Sequence, residues 1–243
     1  MNAIETRGLT RRFGDLTAVD GLNLAVEQGE LFALLGVNGA GKTTLIRMLC
    51  GLLAPTSGDA LVCGHSITQA TAQVKSVIGV SPQETAVGAH LSVRENLHLM
   101  AGLHGLDRAE RRARAEELME RLHLNEVANK RAGTLSGGWM RRLSIAMALV
   151  CNPQVLFLDE PTLGLDVLIR RELWQVIREL HSRCTVVLTT HYLEEAEALS
   201  DRIGVMAHGH LIALGTAEAL KAQTGAASFE DAFIALAGEG VRA

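Results

Sequence analysis

The sequence predicts an α/β fold in which a mostly parallel sheet carries the core, with a strand-rich N-terminal part and a helical subdomain inserted at about residues 88–150. Three observations point to it. Apolar runs of the kind buried on both faces of a sheet, at Leu31 to Leu35, Val155 to Leu158 and Thr185 to Thr190, alternate with helical stretches. The first sixty or so residues read as short strands and turns. Between about residues 88 and 135 the β-branched runs disappear and charged helical patterning replaces them.

Taken in order, Leu22, Leu24 and Val26 alternate with polar or small residues, as in a half-exposed strand, and Gln28-Gly29 supplies a turn. Leu31 to Leu35 then forms a continuous apolar strand. A glycine-rich stretch, Gly36 to Gly41, leads into a predicted helix from Thr44 to Leu53 that ends before Pro55. Further strands are expected at Ala60 to Cys63 and at Val77 to Val80, before Pro82. Ser92 with Glu95, and Asp107 with Glu110, have the spacing at which a cap residue and a carboxylate three positions on satisfy each other's orphan amides, so two helices start there. A helix from about Leu168 to His181 separates the two late strands, and Ser228 with Asp231 opens a last short helix closing near Gly238. The expected organisation is one cassette over residues 1–220 and a short C-terminal helical extension over 221–243.

Composition narrows the function. At 243 residues and 48% hydrophobic content the chain can bury a full core. A formal charge of -4, from 23 basic and 27 acidic residues, argues against nucleic acid as a partner. No apolar run approaches the roughly 20 residues that span a bilayer, so any membrane role must come from another subunit. Met1 to Thr10 has no basic segment followed by an apolar one, which argues against a signal peptide and for a cytoplasmic protein. The cysteines at 50, 63, 151 and 184 lack C-x-x-C spacing and read as small buried thiols.

Gly36-Val37-Asn38-Gly39-Ala40-Gly41-Lys42-Thr43 matches the phosphate-binding loop and stands between a predicted buried strand and a predicted helix. Glycines let backbone amides turn inward around phosphates, the helix points its positive end at them, and Lys42 adds a full charge. Thr43 would offer its hydroxyl to Mg²⁺. The G-x-G-x-x-G spacing of dinucleotide folds is absent. This loop alone leaves kinases, GTPases and motor ATPases open. Val155 to Leu158 then runs into Asp159-Glu160, two acids at the strand end where α/β proteins bind ligands. Asp159 suits the metal and Glu160 suits polarising a water.

Leu135-Ser136-Gly137-Gly138 resembles the signature sequence of ABC ATPases, and with it the chain from Phe13 to Thr216 falls into that family's order. The resemblance implies a P-loop NTPase core with an N-terminal antiparallel β subdomain and an inserted α-helical subdomain. It implies an ATPase using ATP and Mg²⁺. Phe13 matches the adenine-stacking aromatic, and Gly36, Asn38, Gly39, Ala40, Gly41, Lys42, Thr43 and Thr44 the phosphate cradle. Thr43, Gln83 and Asp159 match the metal positions, and Glu160, His191, Lys42 and Gln83 the catalytic ones. Leu163-Gly164-Leu165-Asp166 matches the loop that crosses the dimer.

Ser136 to Gly138 would open a helix with its body at Trp139 to Val150, so its amides and dipole face an anion. In the family fold that site lies far from the chain's own phosphate loop. The implied anion is therefore the γ-phosphate held by a second copy, so Ser136, Gly137, Gly138 and Asp166 would bind nucleotide across a head-to-tail dimer. Trp139 stands where the family usually has glutamine; its large indole is expected to fold back on its own helical subdomain. This position, Thr190 to Glu197 and Asp159 to Asp166 are similar to ABC-2 type bacterial exporter ATPases, some of them presumed multidrug exporters. That resemblance implies export, ABC-2 integral membrane permease subunits as partners, and a peripheral place on the inner face of the membrane. The segment from Gln83 to Arg94, joining the nucleotide site to the helical insert, is the expected seat of the partner. Import, or a non-transport role on ribosomes or DNA, are the alternatives.

Overall fold

The computed structural model describes residues 1–239. Two sheets and a helical layer share two hydrophobic cores. The N-terminal part is a five-stranded antiparallel sheet built from β1 (Asn2–Phe13), β2 (Leu16–Leu22), β3 (Ala25–Glu27), β5 (Ser57–Val62) and β6 (His65–Ser66). β4 (Leu31–Leu35), α1 (Lys42–Leu49), α2 (Thr71–Val77) and β7 (Ile78–Ser81) follow in and around it. The helical insert contains α3 (Val93–Leu103), α4 (Arg108–Arg121) and α5 (Gly137–Ala148). The chain then returns through β8 (Val155–Asp159), α6 (Val167–His181), β9 (Thr185–Thr190) and α7 (Leu193–Leu199). It continues with β10 (Arg202–Ala207), β11 (His210–Gly215), α8 (Ala217–Thr224) and α9 (Phe229–Glu239).

The six-stranded sheet has the order β11-β10-β4-β9-β8-β7, parallel except for the β10–β11 hairpin at its edge. All five residues of β4 are buried, because they serve both cores in alternation. Leu31, Ala33 and Leu35 face the core shared with the helical layer, whereas Phe32 and Leu34 face the core shared with α1 and the antiparallel sheet. A strand that serves two cores has no polar face, which is why it reads as an unbroken apolar run.

Both expected capping boxes are present. Glu95 N–H donates to Ser92 Oγ at 3.2 Å while Ser92 N–H donates to Glu95 Oε2 at 2.7 Å. Asp107 and Glu110 reciprocate in the same way at the start of α4. Asp231 N–H likewise donates to Ser228 Oγ at 3.1 Å at the head of the last helix.

Three expectations are corrected. The first helix ends at Leu49, four residues short of Leu53, because Gly51 adopts φ +62° and turns the chain out of the helix. The alternating Leu22, Leu24 and Val26 belong to two strands rather than one. Between them the buried Thr6 hydroxyl donates to Leu22 O and accepts from Leu24 N, at 2.9 and 2.8 Å, in place of ladder bonds. The boundary expected at residue 220 falls inside α8, and the α9 residues Phe229 and Leu236 pack into the core that the sheet shares with its helices. Residues 240–243 of the expected extension lie outside the described residues.

Candidate active site

Four neighbouring parallel strands end within two residues of one another in register, and each delivers one piece of a site. Leu35 of β4 pairs with Thr190 of β9, Thr189 of β9 with Asp159 of β8, and Leu158 of β8 with Ser81 of β7. The loops leaving these strand ends carry Gly36 onward, His191, Glu160 and Gln83. They meet, with Phe13 from the antiparallel sheet, at a cleft of about 540 Å³. Of the sequence-predicted residues, Phe13, Asn38, Gly39, Ala40, Gly41, Lys42, Thr43, Thr44, Gln83, Glu160 and His191 line it.

The loop needs its glycines for separate reasons. Gly36 passes the backbone of β10 so closely that a Cβ would lie 2.4 Å from Met206 O. Gly41, the N-cap of α1, has φ +102°, and a Cβ there would lie 2.3 Å from Ala18 O. Lys42 Nζ donates to Gly36 O at 2.6 Å and Val37 O at 3.2 Å, so the lysine is folded under its own loop. Burial lowers its pKa, and the neighbouring charge of Glu160, 3.6 Å away, works against that lowering.

Glu160 is buried and leaves β8 with φ +50°, an uncommon conformation for a side-chain-bearing residue. Its N–H donates to both Thr189 Oγ1 and Thr189 O, at 3.0 and 3.2 Å. Its carboxylate reaches Lys42 on one side, and on the other accepts from His191 Nδ1–H at 2.6 Å. The carboxylate partner fixes that ring tautomer. Asp159 Oδ1 accepts from Thr189 Oγ1 at 2.5 Å and from Thr43 Oγ1 at 3.3 Å. Thr43 and Asp159 thus present two hard oxygens side by side, which suits Mg²⁺, an ion held by one or two protein oxygens with phosphate and water completing its shell. Among the described residues no cluster of three or more His, Cys, Asp or Glu forms a self-sufficient metal site.

Ser136, Gly137, Gly138 and Asp166 lie outside the cleft. Asp166 caps α6, accepting from Leu168 N and Ile169 N at 3.1 and 3.0 Å. Ser136 is the N-cap of α5, but its side chain makes no capping bond. Gly138 lets α5 meet α6, since a Cβ there would lie 2.5 Å from Ile169 Cγ2. Trp139 is half-buried against the helical-layer core, with the Arg142 guanidinium 5.4 Å from its ring centroid.

A family model described as "ABC transporter" matches residues 19–163. The chain belongs to the ABC transporter family. It is 47% identical over 224 residues to the daunorubicin resistance ATP-binding protein DrrA3 of Streptomyces coeruleorubidus, covering 92% of this chain and 71% of that protein. It is 42% identical over 222 residues to the probable multidrug ABC transporter ATP-binding protein YbhF of Escherichia coli (strain K12), covering 91% of this chain and 38% of that longer one. Among solved structures it resembles an ATP-binding subunit of an ABC transporter, with a TM-score of 0.85 and 27% identity over 96% of this chain and 99% of the other. It also resembles the ATP-binding cassette MJ0796 in a dimeric post-hydrolysis state bound to ADP and Pi, with a TM-score of 0.79 and 26% identity over 88% of this chain and 98% of that one.

Two residues of this ABC cassette that position its site were not singled out from the sequence. Thr189 bridges Asp159 and Glu160, yet a threonine inside a β-branched run reads only as strand. Arg141 of α5 donates to Pro82 O and Gln83 O at 2.8 and 2.9 Å, tying the Gln83 loop to the signature helix. Burial lowers its pKa, against the pull of Asp159 and Glu160. The signal available was a pair of arginines in an otherwise apolar helix, where a buried charge must find partners.

Proposed function

We propose that this chain is the ATP-hydrolysing motor of an exporter. In this reading it sits peripherally on the cytoplasmic face of the membrane and drives ABC-2 type permease subunits by closing as a head-to-tail dimer on two ATP molecules. The observation that carries the catalytic part is Glu160 suspended between Lys42 and His191, beside the Thr43–Asp159 pair.

Phe13, 44% exposed at the cleft rim, offers a ring face for adenine. The amides of the loop over residues 38–44 and the N-terminus of α1 hold the phosphates, and Lys42 exchanges its two carbonyl acceptors for phosphate oxygens. Mg²⁺, held by Thr43 and Asp159 with Gln83 beside them, would neutralise charge on the phosphates. Glu160 orients the attacking water and draws its proton, while His191 Nδ1–H keeps that carboxylate aimed. Ser136 keeps its hydroxyl free of its own helix, and the first amides of α5 accompany it, so this edge suits the γ-phosphate of the partner's ATP.

The drug-resistance and multidrug names of the relatives favour export. No described helix is long and apolar enough to cross a membrane, so the pathway belongs to other subunits. Their seat is the segment from Gln83 to Arg94 with the adjoining groove of about 220 Å³ lined by Pro82, Ala86, Met100 and Met147. The neighbouring α3 leaves Leu99 and Leu103 exposed.

Glu160→Gln tests the reading. It should keep ATP binding, slow turnover at least 100-fold, and leave a dimer on a sizing column in ATP. Near-normal turnover with only monomer in ATP would refute it.

A further inference from the structure

Glu195 of α7 is fully buried, 0% exposed, although it plays no part in the cleft described above. Its Oε1 accepts from Trp174 Nε1 of α6 at 3.0 Å. Among the described residues its Oε2 has no hydrogen-bond partner, and neither has the equally buried Thr162 Oγ1. The Thr162 and Thr190 hydroxyls stand with the Trp174 indole around this carboxyl, both hydroxyls outside hydrogen-bond geometry to it and only the indole within it.

These neighbours belong to the two segments that must agree for hydrolysis. Thr162 follows Glu160-Pro161 and opens the loop that ends at Asp166; Thr190 immediately precedes His191. An ionised carboxylate at this depth is costly, since among the described residues no cation stands within ion-pair distance and only the more distant Arg141 offsets its charge. Burial is the largest influence on Glu195 and raises its pKa, and the charge of Glu160 acts in the same direction, against the polar groups of Thr190, Thr162 and Trp174. A neutral acid has one O–H to give, and once Oε2 and Thr162 Oγ1 close to hydrogen-bond distance a single proton between them satisfies both orphaned atoms at once.

We propose that Glu195 is a positioning residue for ATP hydrolysis: through an Oε2–H donated to the Thr162 hydroxyl it locks the 162–166 loop to the element that carries His191. The inference rests on the ATPase reading above. Trp174 anchors the other carboxyl oxygen, so the acid is held in one rotamer between α6 and the two loops. With the lock in place, Glu160 and His191 keep their 2.6 Å contact while the loop is loaded from the partner's side. Without it, the loop and the histidine settle independently, and turnover falls although the nucleotide-binding loop is untouched.

The test uses the purified full chain with Mg²⁺ and ATP, measuring kcat and KM(ATP) for Glu195→Gln, Glu195→Leu, Thr162→Val and the Leu/Val double variant. Glutamine is the neutral isostere and should hold kcat within about 2-fold of wild type. Leucine and valine should each lower kcat at least 10-fold with KM(ATP) within 3-fold, and the double variant should be no worse than the poorer single one. Fluorescent ATP binding without turnover separates the two readings: a wild type that binds ATP and never hydrolyses it defeats the ATPase assignment itself. With an active wild type, the inference alone is overturned by wild-type kcat in Glu195→Leu or Thr162→Val. It is equally overturned by a Glu195→Gln variant that is as slow as the leucine one or does not fold, because an amide supplies the same donor and acceptor.

Discussion

Replacing Thr189 by valine removes one hydroxyl and leaves a side chain of nearly the same shape, at a position that is 0% exposed. The hydroxyl donates to Asp159 Oδ1 at 2.5 Å and accepts from Glu160 N at 3.0 Å. Glu160 N keeps its second acceptor, Thr189 O, at 3.2 Å, so no amide is orphaned. The loss is therefore one charge-assisted bond to a buried carboxylate, about 2 kcal/mol. For a chain of this size that corresponds to a fall in Tm of roughly 4–8 °C. Asp159 then keeps only Thr43 at 3.3 Å, so its carboxylate is free to turn away and kcat should fall about 10-fold. Thr189→Ser retains the hydroxyl and forfeits one buried methyl, about 0.8 kcal/mol, so its Tm should fall by half as much or less and its kcat should stay within about 2-fold. Calorimetry without nucleotide and a phosphate-release assay at saturating ATP measure both. If valine and serine give the same Tm and the same kcat, the bridging hydroxyl does not hold the two acids in place.

Other consequences follow from particular contacts. Gly41→Ala meets both a φ of +102° and a carbonyl at 2.3 Å, whereas Gly39→Ala at φ +83° meets open space; fluorescent ATP titration should show lost binding for the first. The second should cost only the left-handed backbone penalty of about 1–2 kcal/mol. Trp139→Gln should lower Tm through the loss of about 1–2 kcal/mol of half-buried packing while ATP-dependent dimerisation of the Glu160→Gln protein stays within a few-fold; unchanged Tm with impaired dimerisation would mean that the indole serves the partner. The Ser92 amide, then its hydroxyl, hold the Glu95 pKa below the ordinary carboxylate value. The cap on α3 is accordingly complete above the ordinary carboxylate pKa and is lost as pH falls through the lowered one. The Ser92 amide resonance should titrate in that acid window in the wild type and stay fixed in Glu95→Gln.

What was legible in the sequence was whatever local chemistry dictates. The phosphate loop, the capping boxes at Ser92 and Asp107, and the doubly buried strands β4, β8 and β9 each answer to a rule that acts within a few residues. The long β1 was not, because register shifts between Leu9, Arg11 and Arg12 break its alternation of inward and outward residues. The two-turn α2 and α7 were not either, being too short to show a periodic face. Within the site, the residues that touch the cleft came from motif spacing. Those that orient them, Thr189, Arg141, Thr162 and Glu195, act across 30 or more positions of chain or between separate elements, and their meaning exists only once the strands have been laid side by side.

The fixed register in which β4, β9, β8 and β7 end, one residue further back at β8 and one more at β7, makes the sheet a measuring device. A strand advances about 3.3 Å per residue and turns its side chains over at each step. Deleting one residue of β8 ahead of Asp159 would thus draw Asp159 and Glu160 back by more than the whole 2.6 Å gap to His191, and would exchange which of the two cores each β8 side chain beyond the deletion enters. Chain length inside these strands consequently fixes the geometry of the cleft as firmly as any side-chain contact, and insertions or deletions should be tolerated only in the connections that leave the register of the strand ends unchanged.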